Sequence, residues 1–281
     1  MTPVGLNLIL WGTSMQMWIK KLLLILCLCS ISYGANNFSV DANCVSLYRM
    51  ENGALTTDSI GTNTLTNNNV ANDTTNYKEG SAAAIGSAGD YMIRADADLS
   101  ADFPFKSGSS NDKISICAWI RPTSFPASST ISAKFSIGTA SKDTYDLIIN
   151  ASGTLQLRIW AVGSSEQYSF GTNMSLNKWY HVGVTYDDST KSYRMRVWDD
   201  DAGDYLGIDR TGTGTKTANK HADATFSVCS MRIYNPFLGQ VDEVVIFNDV
   251  LSTDEIDQIR AGTYGAASPA GGGQVIMIEE F

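Results

Sequence analysis

Arginine and tryptophan alternate with apolar residues in two short segments, and it is there that chemistry is first legible. In Leu155-Gln-Leu-Arg-Ile-Trp160, one parity holds Leu155, Leu157 and Ile159, and the other holds Gln156, Arg158 and Trp160. In Tyr193-Arg-Met-Arg-Val-Trp198, Tyr193, Met195 and Val197 oppose Arg194, Arg196 and Trp198. Successive side chains of a strand point to opposite faces. Each segment therefore predicts an apolar core face and an Arg/Trp face turned away from it. With Val182 and Val184 inward, His181 and Thr185 also turn outward. An aromatic ring stacks on the apolar C–H face of a sugar, and planar donors beside it reach hydroxyls or a carboxylate. The expectation is glycan binding by Gln156, Arg158, Trp160, His181, Arg194, Arg196 and Trp198. The competing expectation puts the tryptophans under a loop or neighbouring strand and pairs the arginines with local carboxylates. Parity alone does not make the two strands neighbours.

Other chemistries find less support. His181 and His221 are the only histidines, and no Gly-x-Ser-x-Gly elbow exists to carry a nucleophilic serine. The acidic run Asp199-Asp-Asp-Ala-Gly-Asp204 departs from the EF-hand order, with Gly and Asp at the wrong positions. It reads as a solvated hairpin turn.

The bulk composition says what must position these groups. The chain has 281 residues, 43% hydrophobic and only 17% charged, with 24 Gly and 6 Pro. That balance suits an all-β domain with many turns. The net charge of −9 disfavours nucleic acid and anionic lipid and is compatible with divalent cations. Lys20-Lys21 ahead of an apolar run, then Ser32-Tyr33-Gly34, predicts an export signal over residues 1–34, with translation starting at Met15 or Met17. That run is too short to span a bilayer, so the mature chain is expected to have no membrane span and to be secreted. Cys44, Cys117 and Cys229 remain after the leader. They read as three small buried residues, or as one Cys44–Cys229 bridge with a thiol left over.

Strand candidates recur at 45–50, 90–93, 113–120, 145–149, 154–160, 179–186, 192–198, 227–234 and 240–247. Asn150-Ala-Ser-Gly153 and Asp187-Asp-Ser-Thr-Lys191 fit hairpin turns. Residues 52–73 read as loop. Ser252 with Glu255 three residues on predicts a capping box, and Ile256 and Ile259 give the short helix after it one apolar side. Strands at this spacing without intervening helices predict an antiparallel sandwich over residues 35–265. Residues 266–281 read as a Gly-rich linker and a terminal strand or tail.

The order of motifs resembles the laminin-G-like branch of the concanavalin A-like lectin/glucanase superfamily. The likeness runs through Leu47-Tyr-Arg-Met-Glu-Asn-Gly53 with Thr57-Asp58-Ser-Ile-Gly61, Gly89-Asp90-Tyr91 and the strand closing in Ala118-Trp119-Ile120. It continues through Asn177-Lys-Trp-Tyr-His-Val-Gly-Val-Thr-Tyr-Asp187 and the closing segment 237–259. One departure is visible: Trp198-Asp-Asp-Asp-Ala-Gly203 stands where the family has a shorter hairpin. The resemblance implies an all-β antiparallel sandwich, or jelly roll, with one short C-terminal helical turn. It implies calcium held by rim loops, with Asp58 and Asp242 as candidates that Glu51 and Asp90 join. It also brings to mind glycosidases with a Glu-x-Asp-x-x-Glu strand. Here Glu255-Ile-Asp257-Gln-Ile-Arg260 ends in arginine and falls in the helical segment.

These readings together predict a secreted, non-catalytic module that binds a glycan or glycoprotein through one sandwich face. The runner-up is a structural subunit that self-associates through its C-terminal strand, and a glycoside hydrolase is the third reading. Sequons at Asn37, Asn72, Asn150 and Asn173 matter only in a eukaryotic secretory route.

Overall fold

The computed structural model of the chain describes residues 35–136, 142–231 and 234–266. The expected export leader at 1–34 and all but the first residue of the C-terminal linker and strand lie outside the described residues. In chain order the strands are β1 (Cys44–Tyr48), β2 (Thr66–Asn68), β3 (Ala71–Asp73), β4 (Ala83–Gly86), β5 (Tyr91–Arg94), β6 (Lys113–Pro122), β7 (Ser128–Phe135) and β8 (Tyr145–Asn150). They continue as β9 (Thr154–Ala161), β10 (Ser164–Asn173), β11 (Tyr180–Asp187), β12 (Ser192–Asp199), β13 (Asp204–Tyr205), β14 (Arg210–Thr213), β15 (Thr225–Val228) and β16 (Gly239–Phe247). Helix α1 (Thr253–Ala261) follows.

Every pairing is antiparallel, and the strands form two sheets. The first runs β13-β12-β11-β6-β16-β4-β3, with β1 beside β16 and β14 beside β12. The second runs β10-β9-β8-β7-β15-β5-β2. The expected sandwich with one short helix is the fold.

The main core lies between the sheets. Leu155, Leu157 and Ile159 of β9 meet Val182, Val184, Met195 and Val197 of β11 and β12 there, all buried. Burial of such side chains contributes about 1.5–3 kcal/mol each. A second apolar cluster covers the outer side of the first sheet. Leu47, Cys117, Val245 and Phe247 lie there with Ile256 and Ile259 of α1. The helix starts where its sequence says: Ser252 accepts from the Glu255 N–H, Glu255 returns the bond, and Gly262 closes the helix in the left-handed region. It sits close because Gly183 has no side chain. A Cβ there would stand 2.4 Å from Ile256 Cγ2.

Adjacent Asp242 and Glu243 break the alternation of β16. A bulge between Asp242 and Val245, with Glu243 at φ 47°, turns both acids to the outer side while Val241, Val244 and Ile246 stay in the core. The three cysteines are buried and free. Cys44 lies in the outer cluster and Cys229 in the inter-sheet core, so the Cys44–Cys229 bridge is not formed.

Candidate functional site

Parity assigns Gln156, Arg158 and Trp160 to the outer side of the second sheet, opposite the buried Leu155, Leu157 and Ile159. On the neighbouring β8, Asp146 pairs with Arg158 in register and turns the same way. Arg158 Nε stands 3.0 Å from Asp146 Oδ1, an ion pair, and the Trp160 Nε1–H donates to Oδ2 at 3.3 Å. The guanidinium carbon lies 5.3 Å from the centre of the Trp160 ring, a cation–π contact. Burial pushes the Asp146 carboxyl up to about 6, against the pull of the Arg158 charge and the Trp160 hydrogen bond. On the other flank, Ser165 stands opposite Trp160 and Gln167 opposite Arg158 across β10. Gln156 Nε2 donates to Ser169 at 3.0 Å. The result is a half-buried indole and a guanidinium over a buried carboxylate, rimmed by exposed hydroxyl and amide groups. The sequence held a signal for Asp146: it is the lone carboxylate in the outward parity of an apolar strand.

The other arginine/tryptophan strand lies in the first sheet. β9 and β12 belong to different sheets and each turns its Arg/Trp parity away from the shared core, so the seven residues do not form one face. The outer side of β12 is already occupied. Arg196 makes a two-pronged contact with Asp257 of α1, Nη2 to Oδ2 at 2.8 Å and Nε to Oδ1 at 3.1 Å. Arg196 Nη1 also reaches Asp209 at 2.8 Å, and Arg194 Nη1 meets the same carboxylate at 2.9 Å. Trp198 is capped by Arg260, whose guanidinium carbon lies 3.8 Å from the ring centre. His181 is 3% exposed and packs edge-on against Trp119. Burial, then the Arg260 charge, pushes its pKa down to about 3, so its imidazole is neutral. Arg194, Arg196, Trp198 and His181 thus hold α1 and the 205–209 segment on the sheet. For Arg196, Trp198 and His181 this corrects the expectation that they face a ligand: parity was right, but the helix side covers them. Arg194 is tied to Asp209 and still lines an open groove with Thr185.

The same contacts account for the glycosidase-like pattern. Glu255 is the capping-box partner of Ser252, and Asp257 is held by Arg196 and by the Tyr205 hydroxyl at 2.6 Å. Burial raises the Asp257 pKa, but those hydrogen bonds outweigh it and hold the carboxyl below its ordinary value.

The four metal candidates do not assemble either. Asp58 accepts four backbone N–H groups: Leu47, Ile60 and Gly61 on Oδ1 and Asn63 on Oδ2. It builds its own turn. Glu51 and Asp242 do approach one another, gripping successive parts of one turn. Asp242 accepts from the Lys78 and Glu79 N–H groups at 2.8 and 3.0 Å, and Glu51 from the Ser81 N–H at 2.8 Å. Asp90 precedes β5 in the other sheet. Among the described residues, no group of three or more His, Cys, Asp or Glu side chains is placed to hold a metal ion. Burial and the neighbouring charges instead leave Asp242 pushed up to about 7 and Glu243 to about 8.

Residues 95–257, more than half of the chain, match the family model described as the concanavalin A-like lectin/glucanases superfamily. No curated protein matches the sequence. Domain 4 of AbnA, an extracellular arabinanase of Geobacillus stearothermophilus solved with arabinotriose, is 17% identical. The match covers 77% of this chain and 98% of that one, with a TM-score of 0.55. A structure of botulinum neurotoxin type C, a toxin whose cell entry depends on interaction with two ganglioside molecules, is 14% identical with a TM-score of 0.54. That match covers 79% of this chain and 52% of the other, so this chain spans about half of the toxin chain. At such identities these likenesses establish the fold alone. Among the described residues, no helix is long and apolar enough to cross a membrane. By its family match and its two-sheet architecture, the chain belongs to the concanavalin A-like lectin/glucanase superfamily.

Proposed function

We propose that this chain is a secreted, non-catalytic carbohydrate-binding module whose site is the Trp160 face of the second sheet. One observation carries the reading: Trp160 and Arg158 stand together over buried Asp146, on the Arg/Trp face that α1 does not occupy. The Trp160 ring stacks on the apolar face of a sugar ring. Asp146 orients both side chains. The Nη groups of Arg158 make no hydrogen bond among the described residues and donate to sugar hydroxyls, with Gln167 and Ser165 of β10 beside them. The fold is compatible with this reading, since the arabinanase domain of like fold was solved with arabinotriose. The non-catalytic part rests on the structural use of Glu255, Asp257 and His181. Secretion rests on the Lys20-Lys21 leader and the apolar run after it.

The test is binding to a glycan array with Trp160→Ala as comparator. The variant is expected to lose about tenfold or more in affinity, about 1.4 kcal/mol, with its melting temperature nearly unchanged. A glycan bound equally well by the variant would sink this site.

A further inference from the structure

The end of the sandwich beside Trp160 carries a feature that no sequence motif marks. A cleft of about 710 Å3 opens between the β9–β10 turn and residues 215–220, with Asp112 and Asp188 at the ends of β6 and β11 as its third wall. It is a broad trough open to solvent rather than an enclosed pocket. Its walls are built rather than loose. Glu166 accepts from the Thr215 and Lys216 N–H groups at 2.7 and 3.2 Å. Asp188, itself buried, accepts from the Ala218 N–H at 2.8 Å. The Asn219 N–H donates to the Trp160 carbonyl at 2.8 Å. Three anchors on a five-residue stretch fix this irregular segment without a strand, and they leave Thr217 and Ser164 exposed at the mouth.

The carboxylates in the cleft are compensated. Asp112 pairs with Lys220, Asp188 with Lys191 at 2.9 Å, and Glu166 lies against the Lys216 backbone. What remains for a ligand is hydroxyls, peptide groups and the single ammonium of Lys216, a hydrogen-bond donor, in a chain whose net charge of −9 repels polyanions. That chemistry suits a neutral polyhydroxylated molecule. The cleft is also continuous in the chain with the aromatic face: Ala161, next to Trp160, is part of its wall, and Asn219 ties the two together.

We infer that this cleft is a second sugar subsite, and that the ligand is a neutral oligosaccharide lying on Trp160 and turning over the sandwich rim into the cleft. This rests on the carbohydrate reading of the Trp160 face. The experiment is an array carrying neutral and acidic glycan backbones, each as monosaccharide, disaccharide and longer oligomers. It is probed with the wild-type chain, Trp160→Ala, and two cleft variants, Thr217→Trp and Ser164→Trp. Both cleft substitutions sit at exposed positions, and melting curves check each fold. Wild-type affinity is expected to rise about tenfold or more from monosaccharide to oligomer on a neutral backbone. Either cleft variant brings the affinity for long chains down toward that for short ones, and Trp160→Ala weakens both. Affinity independent of chain length, or a length gain that survives both cleft variants, overturns the cleft subsite while leaving the Trp160 site standing. Binding confined to acidic glycans overturns the ligand class. A wild-type chain that binds no glycan removes the carbohydrate reading, and the subsite with it.

Discussion

The indole Nε1–H of Trp160 donates to Asp146 Oδ2 at 3.3 Å, across two adjacent strands of one sheet. A stacking platform needs a ring of fixed orientation, and a carboxylate on the neighbouring strand fixes this one. The same carboxylate holds Arg158 on its other oxygen. Aromatic ring, cation and anion are therefore in mutual contact.

That unit gives a pH signature. Burial raises the Asp146 pKa from 3.8 to about 6. The native state then holds the proton more tightly than the unfolded chain, so this contribution to stability is largest at low pH and falls as pH rises from about 4 to 6. Glu243, raised by burial from 4.5 to about 8, extends the fall to about pH 8. Melting temperatures across this range are expected to show Asp146→Asn flattening the slope below about pH 6. Glu243→Gln flattens it mainly above that. Unaltered slopes in both variants would contradict the assignment.

The Arg196–Asp257 contact predicts a stability effect rather than a binding effect. It is two-pronged, partly buried, and ties α1 to β12. Asp257→Ala leaves Arg196 with half of its partners and is expected to cost about 1–3 kcal/mol in urea unfolding. Glycan affinity of the folded variant stays as in the wild type. Loss of binding without loss of stability would return this face to the ligand.

Gly183 and Ile256 set how closely α1 approaches the sheet. Gly183→Ala forces a methyl group against the isoleucine and is expected to destabilise by about 1–3 kcal/mol. Combining it with Ile256→Ala should cost less than the sum of the two single changes, because the truncated side chain makes room. Strict additivity in a double-mutant cycle would show that the helix does not pack through this pair.

Calcium gives a further check. Asp58 is committed to four backbone amides, and among the described residues no three or more His, Cys, Asp or Glu side chains are grouped to hold a metal ion. Chelation followed by calcium titration is expected to give no binding heat and no shift in melting temperature. A shift of several degrees would place the ion at Glu51 and Asp242, the two candidates that share a turn.

Local signals in the sequence translated directly into structure. The capping box of α1 depends on residues three apart, and the hairpins at 150–153 and 187–191 on adjacent strands, so neighbours in the chain decided them. β7 and β10 were not legible. The core-facing positions of β7 include Ser129, Ser132 and Lys134, which reverse the apolar pattern. Lys134 is tolerated there because Asp96 meets it at 2.7 Å. β10 is an edge strand with only Tyr168 and Phe170 facing the core. For the site, parity placed Trp160 and Trp198 outward, but the crossover topology decided that they face opposite ways. Only tertiary packing shows that α1 covers one of them. The cleft has no sequence signal beyond a polar stretch, because backbone N–H groups anchor its walls.

The most direct measurement is the affinity of the wild-type chain and of Trp160→Ala for whichever glycan the array selects, with melting recorded for both. The account predicts a loss of about tenfold or more in affinity at nearly constant melting temperature. Equal affinity in the two proteins, or a collapse of stability that puts Trp160 in the core, would contradict it.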